Sequence, residues 1–321
     1  MNIVVIGGGV AGSTVSRLLA KNHNVTLIQD RKWDKPCGGG TKIRAFEEFD
    51  LDTSIIREKF TSLKMFYKND EIDLDLLGEN LCIVFREEFD EYLRNEAKNS
   101  GVNLIYDKFI KIEKNIAILK NNKIKFDILI AADGVNSTVR KHLGLKDIPK
   151  VLTYYARIDK KIEKPLFYFD RKFGDDFYAW EFPHNNQTHI GSEESSFDNF
   201  KKYLNIDIKN KGYFIPSWQK NIQIQKDNIY FVGDSAGQVM PLSFEGIYFA
   251  MMSAKILAYS IENNLDYKKE WNKRLLLQFK FMKMLENGMK NNILREIIMF
   301  SFKFKFIQKI SVKMWLTKIK M

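Results

Sequence analysis

The stretch that most restricts the fold lies at the front of the chain. Ile3-Val4-Val5-Ile6 is a β-branched apolar run that passes directly into Gly7-Gly8-Gly9-Val10-Ala11-Gly12. Ser13 to Lys21 follow with Val15, Leu18 and Leu19 at helical spacing, and Val25-Thr26-Leu27-Ile28 reads as a second strand. Strand, glycine turn, helix and strand in this order open a Rossmann-type α/β domain with a parallel sheet. The glycines have separate mechanical jobs. Gly7 makes the tight turn, Gly9 lets the backbone approach a pyrophosphate, and Gly12 lets the helix pack close to the strand. The phosphates would then meet the free N–H groups and positive end of the helix. The acid expected at the end of the second strand, for a ribose hydroxyl, is replaced by Gln29, with Asp30 next. Glutamine still bonds a hydroxyl, without charge assistance.

Two later segments repeat a strand that ends at an acidic turn. One runs from Lys125 to Arg140 through Asp133-Gly134, and the other is Ile229-Tyr230-Phe231-Val232-Gly233-Asp234-Ser235-Ala236-Gly237, followed by a long helix to about Ile261. Either aspartate alone reads as a capping or turn residue. With the front turn, the segments resemble the two-domain flavoprotein superfamily typified by p-hydroxybenzoate hydroxylase. That resemblance implies bound FAD. It puts Asp234 on the ribityl chain and Gly237 to Gly246 around a helix start that points at the flavin. It puts Asp133 and Gly134 near the pyrophosphate, and Arg86, in Val84-Phe85-Arg86-Glu87-Glu88-Phe89-Asp90, at a helix start near the cofactor.

Three stretches narrow the resemblance. Lys35-Pro36-Cys37-Gly38-Gly39-Gly40 is similar to the Pro-Cys-Gly-Gly element of geranylgeranyl reductases, which implies that Cys37, Gly38 and Gly39 lie by the flavin. Tyr178-Ala179-Trp180-Glu181-Phe182-Pro183, with Gly191 further on, is similar to the YxWxFP…GxG element of the archaeal members; Gly191-Ser192-Glu193 lacks its second glycine. Pro241-Leu242-Ser243-Phe244-Glu245-Gly246-Ile247 resembles the reductases' segment beneath the flavin, which adds Pro241 and Gly246 to the cofactor residues. The likeness covers about residues 1 to 260.

Tyr178, Trp180 and Phe182 alternate along an expected strand, so they share one face, which suits a flat or polyprenyl ligand or a sheet's core. Tyr154, Tyr155, Phe167, Tyr168 and Phe169 are expected on neighbouring strands as extensions of that wall. Cys37, Tyr178 and Trp180 are therefore the candidates for substrate positioning, with Cys37 also a candidate for proton delivery or a small apolar filler. Cys82, within Leu81-Cys82-Ile83-Val84, reads as core. His184 and His189 flank a hairpin turn at Asn185-Asn186, His23 and His142 read as surface residues, and no residue set has metal-ligand spacing.

The charge is unevenly placed. The chain of 321 residues carries a net +11, yet residues 266–321 hold 14 basic and 4 acidic side chains, and nearly all the excess. Those lysines are interleaved with Phe279, Phe281, Met282, Ile297, Phe300, Phe302, Phe304, Phe306, Ile310 and Trp315. An anionic membrane surface is the partner such a segment suits, each basic residue near it contributing about 1 kcal/mol. A helical tail packed on its own protein is the competing reading; nucleic acid is not expected, because no recognition motif accompanies the charge. The alternation Phe300, Phe302, Phe304, Phe306 suits a strand while its flanks suit helix, and the sequence leaves it open.

With 45% apolar and 28% charged residues the chain is a folded one, not a disordered one. Two cysteines and no long uncharged apolar run predict a cytoplasmic protein, without a leader, that associates peripherally with a membrane. The expected organisation is a discontinuous FAD-binding domain from 1–60, 80–150 and 225–265, a mainly antiparallel substrate domain from 61–79 and 151–224, and a basic, mostly helical tail from 266–321. The flavin would lie at their junction. The resemblance implies an FAD-dependent reductase of carbon–carbon double bonds in an isoprenoid lipid or prenylquinone tail. A flavin hydroxylase using NAD(P)H and oxygen on an aromatic substrate is the alternative, and a flavoprotein electron relay the third reading. With no second GxGxxG, the electron donor stays open between NAD(P)H and a reduced carrier protein, and the oligomeric state is not encoded in any pattern.

Overall fold

The computed structural model describes residues 1–32, 35–174 and 178–321. Its central sheet has six strands, in the order Gln225–Lys226, Ile229–Phe231, Ile128–Ala131, Asn2–Ile6, Asn24–Gln29, Asn103–Tyr106. All neighbours are parallel except the edge pair Gln225–Lys226 and Ile229–Phe231. Val5 lies opposite Leu27 on one side and Ile130 on the other, and all three are fully buried. Strands covered on both faces must be apolar throughout, which is why Ile3–Ile6 and Ile128–Ala131 read as unbroken hydrophobic runs rather than alternating ones. Helix Val10–Leu19 packs against both Arg86–Asn99 and Ile247–Glu262.

A second sheet has seven strands and is mainly antiparallel. Its order is Lys211–Pro216, Lys150–Ile158, Gln187–Glu193, Ala179–His184, Leu166–Tyr168, Ser62–Tyr67, Asp70–Asp75, and only Leu166–Tyr168 beside Ser62–Tyr67 is parallel. A three-stranded sheet of Gly40–Lys42, Leu81–Ile83 and Glu58–Phe60 connects the chain between the two larger ones. The α/β class and the antiparallel second layer match the sequence expectation.

The pleat of the seven-stranded sheet divides the aromatics. Tyr155, Phe167, Tyr178, Trp180 and Phe182 form one cluster on one face. Tyr154 and Tyr168 point to the opposite face, where Tyr154 meets Phe197 and Tyr168 meets Phe200 of helix Glu194–Tyr203. The five-residue extension of the wall is thus corrected to Tyr155, Phe167 and Phe169. Tyr154 and Tyr168 neighbour them in sequence, and the period of two sends them across the sheet.

The tail forms helices Tyr267–Lys290, Asn292–Ser301 and Lys305–Trp315. Phe300 to Phe306 span the turn between the last two, so their period of two comes from a helix end, a turn and a helix start. Phe302 points inward while Phe300, Phe304 and Phe306 are exposed. His142 is a surface residue as expected, its Nε2 3.0 Å from the Ile112 carbonyl, whereas His23 is half-buried and lies 3.2 Å from Glu262. Among the described residues no helix is long and apolar enough to cross a membrane.

Candidate functional site

One cavity of about 800 Å³ runs from the front glycine turn to the tail helices. At its first end the backbone has no room to spare. A Cβ on Gly12 would stand 1.8 Å from the Gly7 carbonyl oxygen, and one on Gly7, at φ +102°, would stand 2.4 Å from that of Ala132. Gly9 differs: the nearest atom to a Cβ there would be Asp90 Oδ2 at 4.0 Å, so it faces open space. Gly9 begins helix Val10–Leu19 with no side-chain cap and no acid in the first turn, so the first N–H groups are left for an anion.

Charged groups surround that opening. Arg86 starts helix Arg86–Asn99 as expected and pairs with Asp90 through two bonds of 3.0 Å. Burial works against its charge, and Asp90 outweighs that and raises the guanidinium further. Arg94 donates to the Gly8 carbonyl at 3.0 Å, fixing the turn from behind. Gln29 does the same from the other side: its Oε1 accepts from the Gly8 N–H at 2.6 Å and its Nε2 donates to the Arg31 carbonyl. Both halves of that amide are engaged within the protein, and Asp30 beside it is exposed at the cavity wall.

Further along, Asp133 is half-buried with Oδ2 accepting from the Val139 N–H at 3.1 Å; Oδ1 has no partner among the described residues. Burial pushes its carboxyl upward. Gly134 follows at φ +81°. Gly233, at φ +61°, turns the chain into a short 3₁₀ segment that carries Asp234 to the cavity and ends at Gly237. Asp234 accepts from Lys35 Nζ at 2.6 Å. Burial alone would lower the Lys35 ammonium, and Asp234 outweighs it and raises it. Gly246 precedes helix Ile247–Glu262, whose start also lies at the cavity with no side-chain cap. Of the expected cofactor residues, Gly7, Gly9, Gln29, Asp30, Gly38, Gly39, Arg86, Asp133, Gly134, Asp234 and Gly246 line the one cavity; Gly12, Gly233, Gly237 and Pro241 stand behind the wall.

Cys37, Tyr178 and Trp180 meet at the waist of the cavity. The Tyr178 hydroxyl donates to the Ser243 carbonyl at 2.7 Å, and burial raises it, so it keeps its proton. Cys82 is core as expected, and burial pushes its thiol up to about 12. Behind the waist, against the lining residues Glu245 and Trp315, lies a group that sequence reasoning missed. Lys42, 2% exposed, lies 3.3 Å from Glu245 Oε2, donates to the Trp315 carbonyl at 2.9 Å and sits over the Tyr248 ring at 4.3 Å. Trp315 Nε1 donates to the same Glu245 oxygen at 3.1 Å, while Oε1 has no partner among the described residues. Burial lowers the Lys42 ammonium against the pull of Glu245. Beyond the waist the lining is apolar side chains: Leu63, Met65, Leu74, Phe167 and Phe244 from the front, and Met289, Ile298, Met299, Phe302 and Val312 from the tail. Among the described residues no cluster of His, Cys, Asp and Glu could hold a metal.

The first end fits a dinucleotide on three observations. The glycine turn leaves an open approach at Gly9, two uncapped helix starts face the space, and Asp133 carries an oxygen without a partner among the described residues. The model of the FAD binding domain family matches residues 1–165, more than half of the chain. The chain belongs to the FAD-binding domain family. FAD is its cofactor, and Gly9, Asp133 and Asp234 line the cavity. Along almost its whole length the chain is similar to the chloroplastic geranylgeranyl diphosphate reductase of Nicotiana tabacum, 28% identical over 99% of this chain and 81% of that one. It is also similar to the digeranylgeranylglycerophospholipid reductase of Methanocaldococcus jannaschii, 25% identical over 89% and 86%. The structure of a geranylgeranyl bacteriochlorophyll reductase-like protein from Thermoplasma acidophilum superposes with a TM-score of 0.79 at 21% identity, covering 90% of this chain and 87% of that one, a likeness of fold.

Proposed function

We propose that this protein is an FAD-dependent oxidoreductase that saturates carbon–carbon double bonds of an isoprenoid chain. The observation that carries the reading is one continuous cavity with a polar, glycine-walled end for the cofactor and an apolar end whose lining suits a prenyl tail. The names of the relatives, reductases of geranylgeranyl diphosphate and of a digeranylgeranyl phospholipid, support the same substrate class. When bound and reduced, FAD supplies hydride. The chain's own residues do the rest. Tyr178, Trp180 and Phe182 form a flat wall that holds an apolar chain across the waist, and Phe302 and Val312 close the far side and exclude water. Cys37 and the protonated Tyr178 hydroxyl stand at the boundary, where they orient the chain or hand on a proton. The division into an FAD domain, a substrate domain and a tail belongs to the same proposal, as do the residue roles.

The tail is read as the docking face for an anionic membrane. Helices Asn292–Ser301 and Lys305–Trp315 bury Met299 and Val312 toward the cavity and expose Ile293, Ile297, Phe300, Phe306 and Ile310 outward among lysines. Apolar and basic residues on one surface match the chemistry of an interfacial helix. Electrons would come from NAD(P)H or a reduced carrier protein.

The test is a product mass spectrum. The FAD-loaded protein is reduced without oxygen and given polyprenyl lipids and prenylquinones. Products heavier by pairs of hydrogens are expected. No such product, with oxygen inserted into an aromatic compound when NADPH and air are supplied, would replace this reading by the hydroxylase one.

A further inference from the structure

The cap sheet carries a pair of imidazoles that no role assigned above uses. Strands Ala179–His184 and Gln187–Glu193 form a hairpin, and His184 and His189 at its turn end stack with ring centroids 3.4 Å apart. Both rings are 2% exposed. They lie behind the Cys37 loop: His184 Nε2 is 2.9 Å from the Gly38 carbonyl oxygen. A carbonyl only accepts, so His184 carries its proton on Nε2. Nδ1 of the same ring has no partner among the described residues.

The second ring is set by a cavity residue. Tyr155 lines the cavity, and its hydroxyl accepts from Arg157 Nε at 2.8 Å and lies 3.0 Å from His189 Nδ1. His189 Nε2 faces the carbonyl of Cys37 without closing a bond of good geometry, and since a carbonyl only accepts, a proton on Nε2 leaves Nδ1 to accept from the Tyr155 hydroxyl. Burial lowers His184 to about 4 and His189 to about 2, so both rings are neutral near pH 7 and hold these tautomers. The loop is also pressed against the hairpin: a Cβ on Gly38 would stand 2.4 Å from the Phe182 ring.

We infer that His184 and His189 are positioning residues for the Cys37–Gly38 loop. They hold its main chain from the far side of the hairpin, and so fix where the Cys37 thiol meets the cavity. The inference rests on the reading that this loop belongs to the active site. Tyr155 extends the unit, since its hydroxyl meets His189 Nδ1 from the cavity wall.

Cys37 reports on the loop directly, because the only other cysteine, Cys82, is buried. The experiment alkylates the FAD-loaded protein with iodoacetamide at one pH and follows each cysteine by peptide mass. His184→Leu removes the donor to Gly38, and Cys37 alkylation is expected to rise about tenfold, the scale of one lost hydrogen bond. His184→Gln keeps a donor amide and is expected to return the rate to within about twofold of wild type. Tyr155→Phe, which deletes one oxygen from a ring that stays in place, gives a smaller rise in the same direction. Cys82 stays protected throughout, whereas general loosening of the fold would expose both thiols. Unchanged Cys37 alkylation in His184→Leu and Tyr155→Phe, or a His184→Gln variant as fast as His184→Leu, overturns the inference. The readout needs no isoprenoid turnover, so a failed mass spectrum and a failed alkylation series are told apart.

Discussion

The two ends of the cavity are built by opposite means. The cofactor end is made of backbone: Gly7, Gly12 and Gly39 each stand where a Cβ would fall within 2.4 Å of a main-chain atom, and Arg94 and Gln29 brace the turn through Gly8. The far end is made of side chains drawn from residues more than 240 positions apart, such as Leu63 and Val312. A backbone site fixes the positions of N–H groups with little tolerance and so selects a particular cofactor. A wall of Leu, Met and Phe fixes only a volume, and Met side chains adapt to irregular shapes. The difference teaches where selectivity resides: strict for the dinucleotide, permissive for the chain.

The largest effect that tests this contrast comes from two neighbouring glycines. Gly12→Ala puts a methyl into the Gly7 carbonyl and is expected to destabilise the fold by about 3 kcal/mol or more, since the obstacle is main chain that cannot rotate away. Gly9→Ala puts the same methyl into open space at an ordinary φ of −79°. It is expected to keep the melting temperature and lose FAD, because the methyl occupies the approach to the helix start. Thermal unfolding and the flavin absorbance of the purified variants check both. A Gly9→Ala protein that retains full FAD would show that the pyrophosphate does not come to this residue.

The same contrast explains what the sequence made legible. The glycine turn, the Asp133-Gly134 and Gly233-Asp234 turns and the Arg86 helix start are contiguous motifs whose geometry is local, and the structure brings them around one space. The braces were not legible. Arg94 reaches Gly8 across 86 positions, and Lys35 reaches Asp234 across 199, so neither leaves a trace in local spacing. The tail is an intermediate case. Its apolar and basic character was plain, yet Phe300 to Phe306 was ambiguous, because a helix end followed by a turn imitates alternation. Tyr154 and Tyr168 show a different limit: composition marked an aromatic region, and only strand register decides which rings share a face.

A smaller effect is expected where the two ends join. Lys42→Met leaves the Glu245 carboxylate buried beside Trp315 without its cation, a loss of about 3 kcal/mol. Removing both charges, as Lys42→Met with Glu245→Gln, should recover much of it, since the remaining amide can still accept from the Trp315 indole. Denaturant unfolding of the two single variants and the double variant reads the coupling. Strict additivity would mean that the pair does not tie the tail helix to the floor of the site.

The smallest effect on stability, and the sharpest test of the permissive end, lies on the outer face of the tail. Ile297 and Phe306 are about 60% exposed and pack on little of their own protein, so Ile297→Ser with Phe306→Ser should leave the unfolding midpoint within about 0.5 kcal/mol of wild type. Each side chain would otherwise bury apolar surface in a bilayer, at about 1.5 to 3 kcal/mol apiece for full burial. The double variant should therefore bind anionic vesicles at least tenfold more weakly in sedimentation, while FAD content stays unchanged, because the cofactor end shares no residue with this face. Wild-type binding that ignores both substitutions and yields to salt alone would assign docking to the lysines. Absence of vesicle binding by the wild type would leave the exposed face without a membrane role. It would also require the substrate to reach the apolar chamber from solution.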